Sequence, residues 1–250
     1  MVRSRSLLLS GALLLAPLAP AASQDALPSG REVIDRFIEA IGGADAIKAQ
    51  GGRHMMGSFA IPAQGIGGSL DVYAQPPNKM LVKVSLQGIG EIMTGYDGTT
   101  AWALNPMIGP QVLDSIQLRQ LQQQADFYSS LYPDTQIAAL ETVGTETFEG
   151  AACYNVKVTT TWGETYNEFF STETGLQMGS RRKQESPMGA VEIVAVSSDW
   201  RVVEGMKVPF KSVQRTMGIE QIITVDSVSV LSVPDSMFAL PPEIQALLKK

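Results

Sequence analysis

Apolar and polar positions alternate along this chain with two different periods, and the period changes with position. After Ser29, the residues Val33, Ile34, Phe37, Ile38 and Ile41 recur at spacings of three and four, which lays them on one face of a helix. Ser29 followed three places later by Glu32 is a capping box for its start, and Gly42-Gly43 supplies the left-handed residues that end it. A short helical turn is expected over residues 44–49. From about residue 53 the period falls to two, the mark of strands with one buried face. Leu70 and Val72 alternate with Ser69, Asp71 and Tyr73; Met80, Val82, Val84 and Leu86 alternate with Lys79, Leu81, Lys83 and Ser85. Turn signals at Pro76-Pro77-Asn78, Gln87-Gly88 and Asp97-Gly98 divide residues 53–104 into a meander of about five antiparallel strands.

Residues 105–111 hold two prolines and a glycine and are expected to be loop. A second helix is then predicted over residues 114–128, with Asp114 at its N-cap and Gln117 at the third position. Its apolar stripe, Leu118, Leu121, Ala125 and Tyr128, is narrow; the opposite face is Gln120, Gln122, Gln123, Gln124 and Asp126. Such a helix rests on a surface rather than running through a core. Strand patterns resume over residues 136–230, with turns at Glu173-Thr174-Gly175 and Glu204-Gly205, and residues 241–250 read as a short amphipathic helix.

The class is mainly β (α+β), with about ten to eleven antiparallel strands, a helix before them and a helix inserted among them. A sheet of that length twists, so it either splits in two or curls into a barrel. The helices then form a lid or plug over the interior.

The first residues change the picture of where this fold works. Arg3 and Arg5 precede an apolar run at residues 7–18 and small residues at 19–23, the order of a secretory leader. The run falls short of the ~20 residues a membrane-spanning helix needs. Cleavage near Ala21–Ser23 is expected. It divides the chain into a signal peptide at residues 1–23 and one domain at residues 24–250, a soluble periplasmic or otherwise exported protein. Loss of the leader removes two arginines and no acid, taking the formal net charge from −6 to −8. An acidic chain has no electrostatic footprint for nucleic acid. Arg181-Arg182-Lys183 is the only basic cluster, and it reads as a solvated strand end.

The inventory of reactive groups argues against catalysis. The chain has one histidine, His54, and one cysteine, Cys153, which reads as a buried small hydrophobe. Nucleophilic triads and zinc sites need more such groups than this. The runs at Gly65–Gly68 and Gly88–Gly90 lack the lysine and the strand-to-helix setting of a phosphate loop and read as turns. Glu164 and Glu168 share a strand face, which reads as solvated. The expectation is therefore a protein that is not an enzyme, with no cofactor and no metal.

Apolar surface is the chemistry in excess. Ten of the eleven methionines, Met188 among them, lie beyond the leader, and Met adapts to irregular ligands. Under a lidded sheet this predicts an apolar ligand site built from Leu70, Val72, Met80, Val82 and Val84 of the strands and Leu118, Leu121 and Tyr128 of the lid. Trp102, Trp162 and Trp200 are candidates to line or rim it, Trp200 more as a core anchor.

The runs REVIDRFIEAIGGADAIK, GYDGTTAW, LRQLQQQADFYSSL and DWRVVEGMKVPF resemble the outer-membrane lipoprotein-sorting-protein-like proteins of the LolA/LolB-like periplasmic carrier superfamily. The resemblance spans roughly residues 31–240. It implies a half-open antiparallel β-barrel with helices as a lid. It also implies carriage of a lipid, acyl chain or lipidated protein as partner, by a monomer that meets an inner- or outer-membrane protein. The alternative it leaves is a protein-interaction or envelope-sensing module that moves no lipid. Family carriers hold the lid shut with an arginine; Arg53, Arg181, Arg182, Arg201 and Arg215 are the positions that compete for that role.

Overall fold

The computed structural model describes residues 26–186 and 189–249. The expected leader at residues 1–23 and Met188 lie outside the described residues. The chain opens with α1 (Gly30–Ala40) and α2 (Ala44–Ala49). The capping box forms: the Glu32 amide donates to Ser29 Oγ at 3.3 Å, and the Ser29 amide donates to Glu32 Oε2 at 2.7 Å. Val33, Ile34, Phe37, Ile38 and Ile41 are all buried. Gly42 takes φ +129°, and a side chain there would meet the Gly205 carbonyl, so only glycine fits this exit from the helix.

Strands β1 (Arg53–Ile61), β2 (Ile66–Gln75), β3 (Lys79–Leu86), β4 (Gly90–Tyr96) and β5 (Ala101–Asn105) form the expected five-strand meander. It continues into β6 (Gly109–Val112), then α3 (Ser115–Ala125), then a second meander. That meander is β7 (Ile137–Phe148), β8 (Ala151–Thr160), β9 (Thr165–Ser171), β10 (Gln177–Ser186), β11 (Gly189–Val203), β12 (Met206–Thr216) and β13 (Ile219–Val230). A helix α4 (Pro242–Leu248) closes the chain. The count is thirteen strands, not ten to eleven. One extra strand, β6, lies in the stretch read as loop. Pro110 is tolerated there because β6 is the sheet edge and its outward amide has no partner to lose. The other, β7, is the opposite edge; its exposed Thr and Glu positions leave too little apolar alternation to read. The inserted helix stops at Ala125, and Asp114 occupies its N-cap without a side-chain bond.

All thirteen strands belong to one antiparallel sheet in the order β6-β5-β4-β3-β2-β1-β13-β12-β11-β10-β9-β8-β7. The β1–β13 pair, which starts at Arg53↔Val230 and shifts register once between Met56 and Gly57, joins the two meanders, and β6 and β7 remain unpaired with each other. The sheet is curved. Gln122 Nε2 donates to Tyr96 Oη on β4 at 3.1 Å, while the next residue, Gln123, donates from Nε2 to Tyr166 Oη on β9 at 3.4 Å. β4 and β9 are eight steps apart in the strand order, about 38 Å on a flat sheet at ~4.8 Å per strand. One short helix bonds both only if the sheet curls around it. The result is an unclosed half-barrel with α3 across its opening.

Each strand serves two cores by alternation. Met80 and Val82 pack toward α3, while Leu81 between them packs with Trp102, Val233, Phe238 and Ile244 under the C-terminal segment. Phe170 packs with α1, while Phe169 stacks on Phe148 at 4.2 Å beside Cys153, buried as expected. Among the described residues no helix is long and apolar enough to cross a membrane.

Candidate functional site

The helix across the opening has two working faces. Leu118, Leu121 and Ala125, at helical spacing, pack on Val72, Met80, Val82, Tyr96 and Ala101. Ile116, Arg119, Gln120, Gln123 and Gln124 face the other way and roof a cavity of about 930 Å³. Its walls come from the connection at residues 129–137, the β8–β9 turn and strands β9 to β12. The glutamine face thus roofs the mouth of the cavity, with Gln123 half-buried and Gln120 and Gln124 still exposed to solvent. The wall is largely polar: Gln136, Gln177, Gln184, Gln214, Ser180 and Arg182 stand with Phe37, Trp162 and Tyr166.

The floor holds a buried carboxylate. Glu168, 6% exposed, accepts a hydrogen bond from Tyr132 Oη at 2.5 Å, and Gln177 Nε2 donates to the same hydroxyl at 3.4 Å. Burial pushes the Glu168 carboxyl up to about 7, against the Tyr132 bond and the nearby Arg182, which favour the charged form. Burial, then the Glu168 charge, drives the Tyr132 phenol well above its ordinary value, and burial likewise raises Tyr166. Arg182 lies with Cζ 3.9 Å from the Tyr166 ring centroid and pairs with Glu164 at 3.7 Å. Trp162 Nε1 donates to the other Glu164 oxygen at 3.3 Å. At the end of α3, Gln136 Nε2 donates to Asp126 Oδ2, tying helix and connection together.

Two expectations are corrected here. Glu168 does not lie on a solvated face: it is buried on β9 inside the curl of the sheet, while Glu164 sits in the turn before β9 and is only half-buried. The basic cluster is not a solvated strand end: Arg182 turns into the cavity, while Arg181 lies over Phe169 on the opposite face and pairs with Glu146 at 3.2 Å. The missed residues, Tyr132, Glu168, Gln177 and Arg182, carried one legible signal. Tyr166 and Glu168 alternate with Asn167 and Phe169, so a glutamate sits at a position where a buried strand keeps an inward side chain.

The nine residues expected to form an apolar site lie elsewhere. Val72, Met80, Val82, Leu118 and Leu121 come together as one filled cluster between α3 and β2–β5. Leu70 pairs with Val84 in register on the same side of that arm. Tyr128 packs against the α1 cluster. Trp102 turns away from α3, and Gly95 makes room for it: a Cβ there would lie 2.4 Å from the indole. None of the nine is among the residues lining the cavity. Trp162 does line it, and Trp200 packs edge-on against Phe37 at 6.3 Å. His54 lies outside the cavity, bonded to Asp71 at 2.8 Å and stacked on Tyr73 at 4.1 Å. Among the competing arginines, Arg53 reaches the lid: its Cζ sits 4.3 Å from the Phe127 ring, just past α3. A smaller hollow of about 470 Å³ lies beside Arg215 and Met217, but Arg215 is already matched by Glu149 and Glu220.

No protein-family model matches the sequence, and no curated protein sequence matches it. Solved structures do match. A LolA superfamily protein from Nitrosomonas europaea superposes with a TM-score of 0.58 over 86% of this chain and 99% of its own, at 11% identity. The fold is LolA-like. A DUF1329 family protein from Desulfovibrio piger gives 0.58 over 85% and 98%, at 10% identity. A protein described as an outer membrane lipoprotein-sorting protein domain, from Vibrio parahaemolyticus, gives 0.53 over 87% and 100%, at 8% identity. These neighbours share the LolA-like architecture from end to end, and at such identity they carry no residue role to this chain. Within the LolA-like half-barrel, this chain fills the β2–β5 arm with apolar side chains and leaves a polar cavity in the β9–β12 arm.

Proposed function

We propose that this protein is an exported, non-enzymatic binder or carrier of an amphiphile, with α3 as the moving part. The two-faced packing of α3 carries the reading. Its apolar face covers Val72, Met80 and Val82 and its polar face covers the cavity. Lifting α3 would expose an apolar floor beside a polar chamber, the two environments an amphiphile needs. Acyl methylenes would replace Leu118 and Leu121 on that floor, joined by Leu70 and Val84. A dozen methylenes at ~0.8 kcal/mol each give on the order of 10 kcal/mol gross, before the costs of ordering the ligand and opening the lid. The polar part of the ligand would lie against the glutamines and Arg182. The Arg53–Phe127 contact and the amide of Phe127, which donates to the Pro77 carbonyl at 3.0 Å, pin the C-terminal end of α3, so opening pivots there. The LolA-like fold supports this reading as architecture only.

The test is direct. The protein is exported in a Gram-negative host, purified and analysed by native mass spectrometry with organic extraction. Retained acyl lipid, and saturable one-to-one uptake of lysophosphatidylcholine by the delipidated protein, are expected. A bare mass with no uptake would overturn the carrier reading in favour of a protein-contact module.

A further inference from the structure

The strands alternate in direction, so every second connection lies at the same end of the sheet. Along the sheet order from β6 through β1 to β12, four successive hairpins share one end: residues 106–108, 87–89, 62–65 and 217–218. Their tips are neighbours. The turn at residues 62–64 packs on β13, the Gln87 amide donates to the Gly67 carbonyl at 3.4 Å, and Pro106 lies against Gly90. This end presents apolar side chains to solvent: Met107 is 76% exposed, Ile108 65%, Met217 65% and Ile219 37%. Residues 61–66, 87–90, 105–109 and 216–219 hold no charged residue. The connections at the opposite end, residues 76–78, 97–100, 172–175 and 204–205, hold Asp97, Glu173 and Glu204 and no Ile, Leu, Val or Met.

The backbone singles out Met217. Three two-residue turns place both central residues at left-handed φ: Glu149-Gly150 at +48° and +83°, Glu204-Gly205 at +47° and +81°, and Met217-Gly218 at +51° and +76°. Such a turn favours Asn, Asp or Gly at its first position. Two of the three put a glutamate there. The third puts an exposed methionine there, in a conformation that costs it stability and that packing does not offset.

We propose that this uncharged end is a docking surface for a phospholipid bilayer, with the methionine and isoleucine tips entering its outermost apolar layer. The tips recur every two strands, about 10 Å apart at ~4.8 Å per strand. Separate knobs suit a fluid that closes around each of them, whereas a folded partner would need a matched pocket for each. The attraction is apolar rather than electrostatic, and the acidic end points to water. Glu91, Arg215 and Glu220, the first charges behind the tips, give no cation excess. The cavity reaches the same end: Ile193, which lines it, pairs with Thr216, the last residue before the Met217 tip. Docking there brings the chamber to the lipid, yet it does not require the carrier reading to hold.

The test is flotation of the purified exported protein with phosphatidylcholine vesicles, with and without phosphatidylglycerol. Wild type is expected to bind both reversibly, with little change in high salt. Ile108→Asp should weaken binding roughly tenfold, the loss of one inserted aliphatic side chain. Met217→Asn should weaken it by roughly fivefold, yet hold or raise the thermal midpoint, because asparagine suits the turn. Val202→Asp, at a site 68% exposed near the acidic end, should leave binding as it is. Absence of vesicle binding, binding that needs phosphatidylglycerol and vanishes in salt, or tip variants that bind like wild type would each overturn the docking surface. A wild-type dimer made monomeric by Ile108→Asp, with no vesicle binding, would overturn it too and assign this end to a second copy of the chain. Vesicle binding without uptake of lysophosphatidylcholine would sink only the carrier reading; uptake without vesicle binding would sink only the docking surface.

Discussion

The two arms of the sheet meet α3 on its two faces and answer it in opposite ways. In the β2–β5 arm, Val72, Met80, Val82 and Tyr96 pack with Leu118, Leu121 and Ala125 as one apolar cluster. In the β9–β12 arm, the inward positions are Glu168, Arg182, Ala195 and Gln214, and a cavity of about 930 Å³ remains. Both arms are antiparallel meanders of the same sheet. The difference shows that apolar alternation marks where this half-barrel is filled. Inward polar alternation marks where it is open, because buried polar groups need partners at hydrogen-bond distance and cannot interdigitate as aliphatic groups do.

The sharpest way to break that comparison is to cut into the filled arm. Leu121→Ala should cost about 3–5 kcal/mol, the transfer and cavity penalty of a core leucine, read from urea denaturation. A loss under 1 kcal/mol would mean that the cluster is loose enough to admit ligand without lid movement.

The floor of the open arm predicts a pH effect of the next size. The native pKa of Glu168, about 7, lies above its ordinary 4.5. Below pH 4.5 the carboxyl is protonated in both states and contributes nothing. Between 4.5 and 7 the unfolded chain releases the proton while the native protein holds it, so stability falls as pH rises. The fall is at most about 3 kcal/mol at ~1.36 kcal/mol per unit. Denaturation midpoints at pH 5 and pH 8 measure it, and Glu168→Gln should flatten the slope; an unchanged slope would place its source elsewhere.

Tyr132→Phe removes the one hydroxyl that donates to Glu168 and should cost about 1–3 kcal/mol. It should also move the carboxyl titration to still higher pH, which carbon-detected NMR of labelled glutamate reads directly. At the small end stands Gln123→Ala. It removes only a long 3.4 Å bond to Tyr166 from the cavity roof, so stability should stay within about 0.5 kcal/mol. A large loss would show that the roof is as tightly packed as the lid's other face.

Much of this fold is legible in the chain. The Ser29/Glu32 capping box, the helical stripe from Val33 to Ile41, the five strands of residues 53–104 and the C-terminal helix all form where local pattern puts them. The edge strands β6 and β7 were hidden, since an edge needs only one paired side and so tolerates Pro110 and exposed Thr and Glu. The site was hidden for a different reason. Val82 of the filled arm and Glu168 of the open arm occupy equivalent inward positions, and only the tertiary contact with Tyr132, 36 residues away in the chain, makes the second one special. The same holds for the lid: the glutamines at 120, 123 and 124 are as polar in the chain as any solvent-facing stripe.

The sequence by itself determined the local elements, the two-faced strands and the amphipathic helix between two meanders, because each follows from spacing over a few residues. The tertiary structure alone decided that β1 pairs with β13, that the sheet curls until Tyr96 and Tyr166 reach one helix, and that Glu168 and Arg182 face a chamber. Those outcomes depend on twist accumulated over thirteen strands and on contacts between residues far apart in the chain, and no local pattern encodes them.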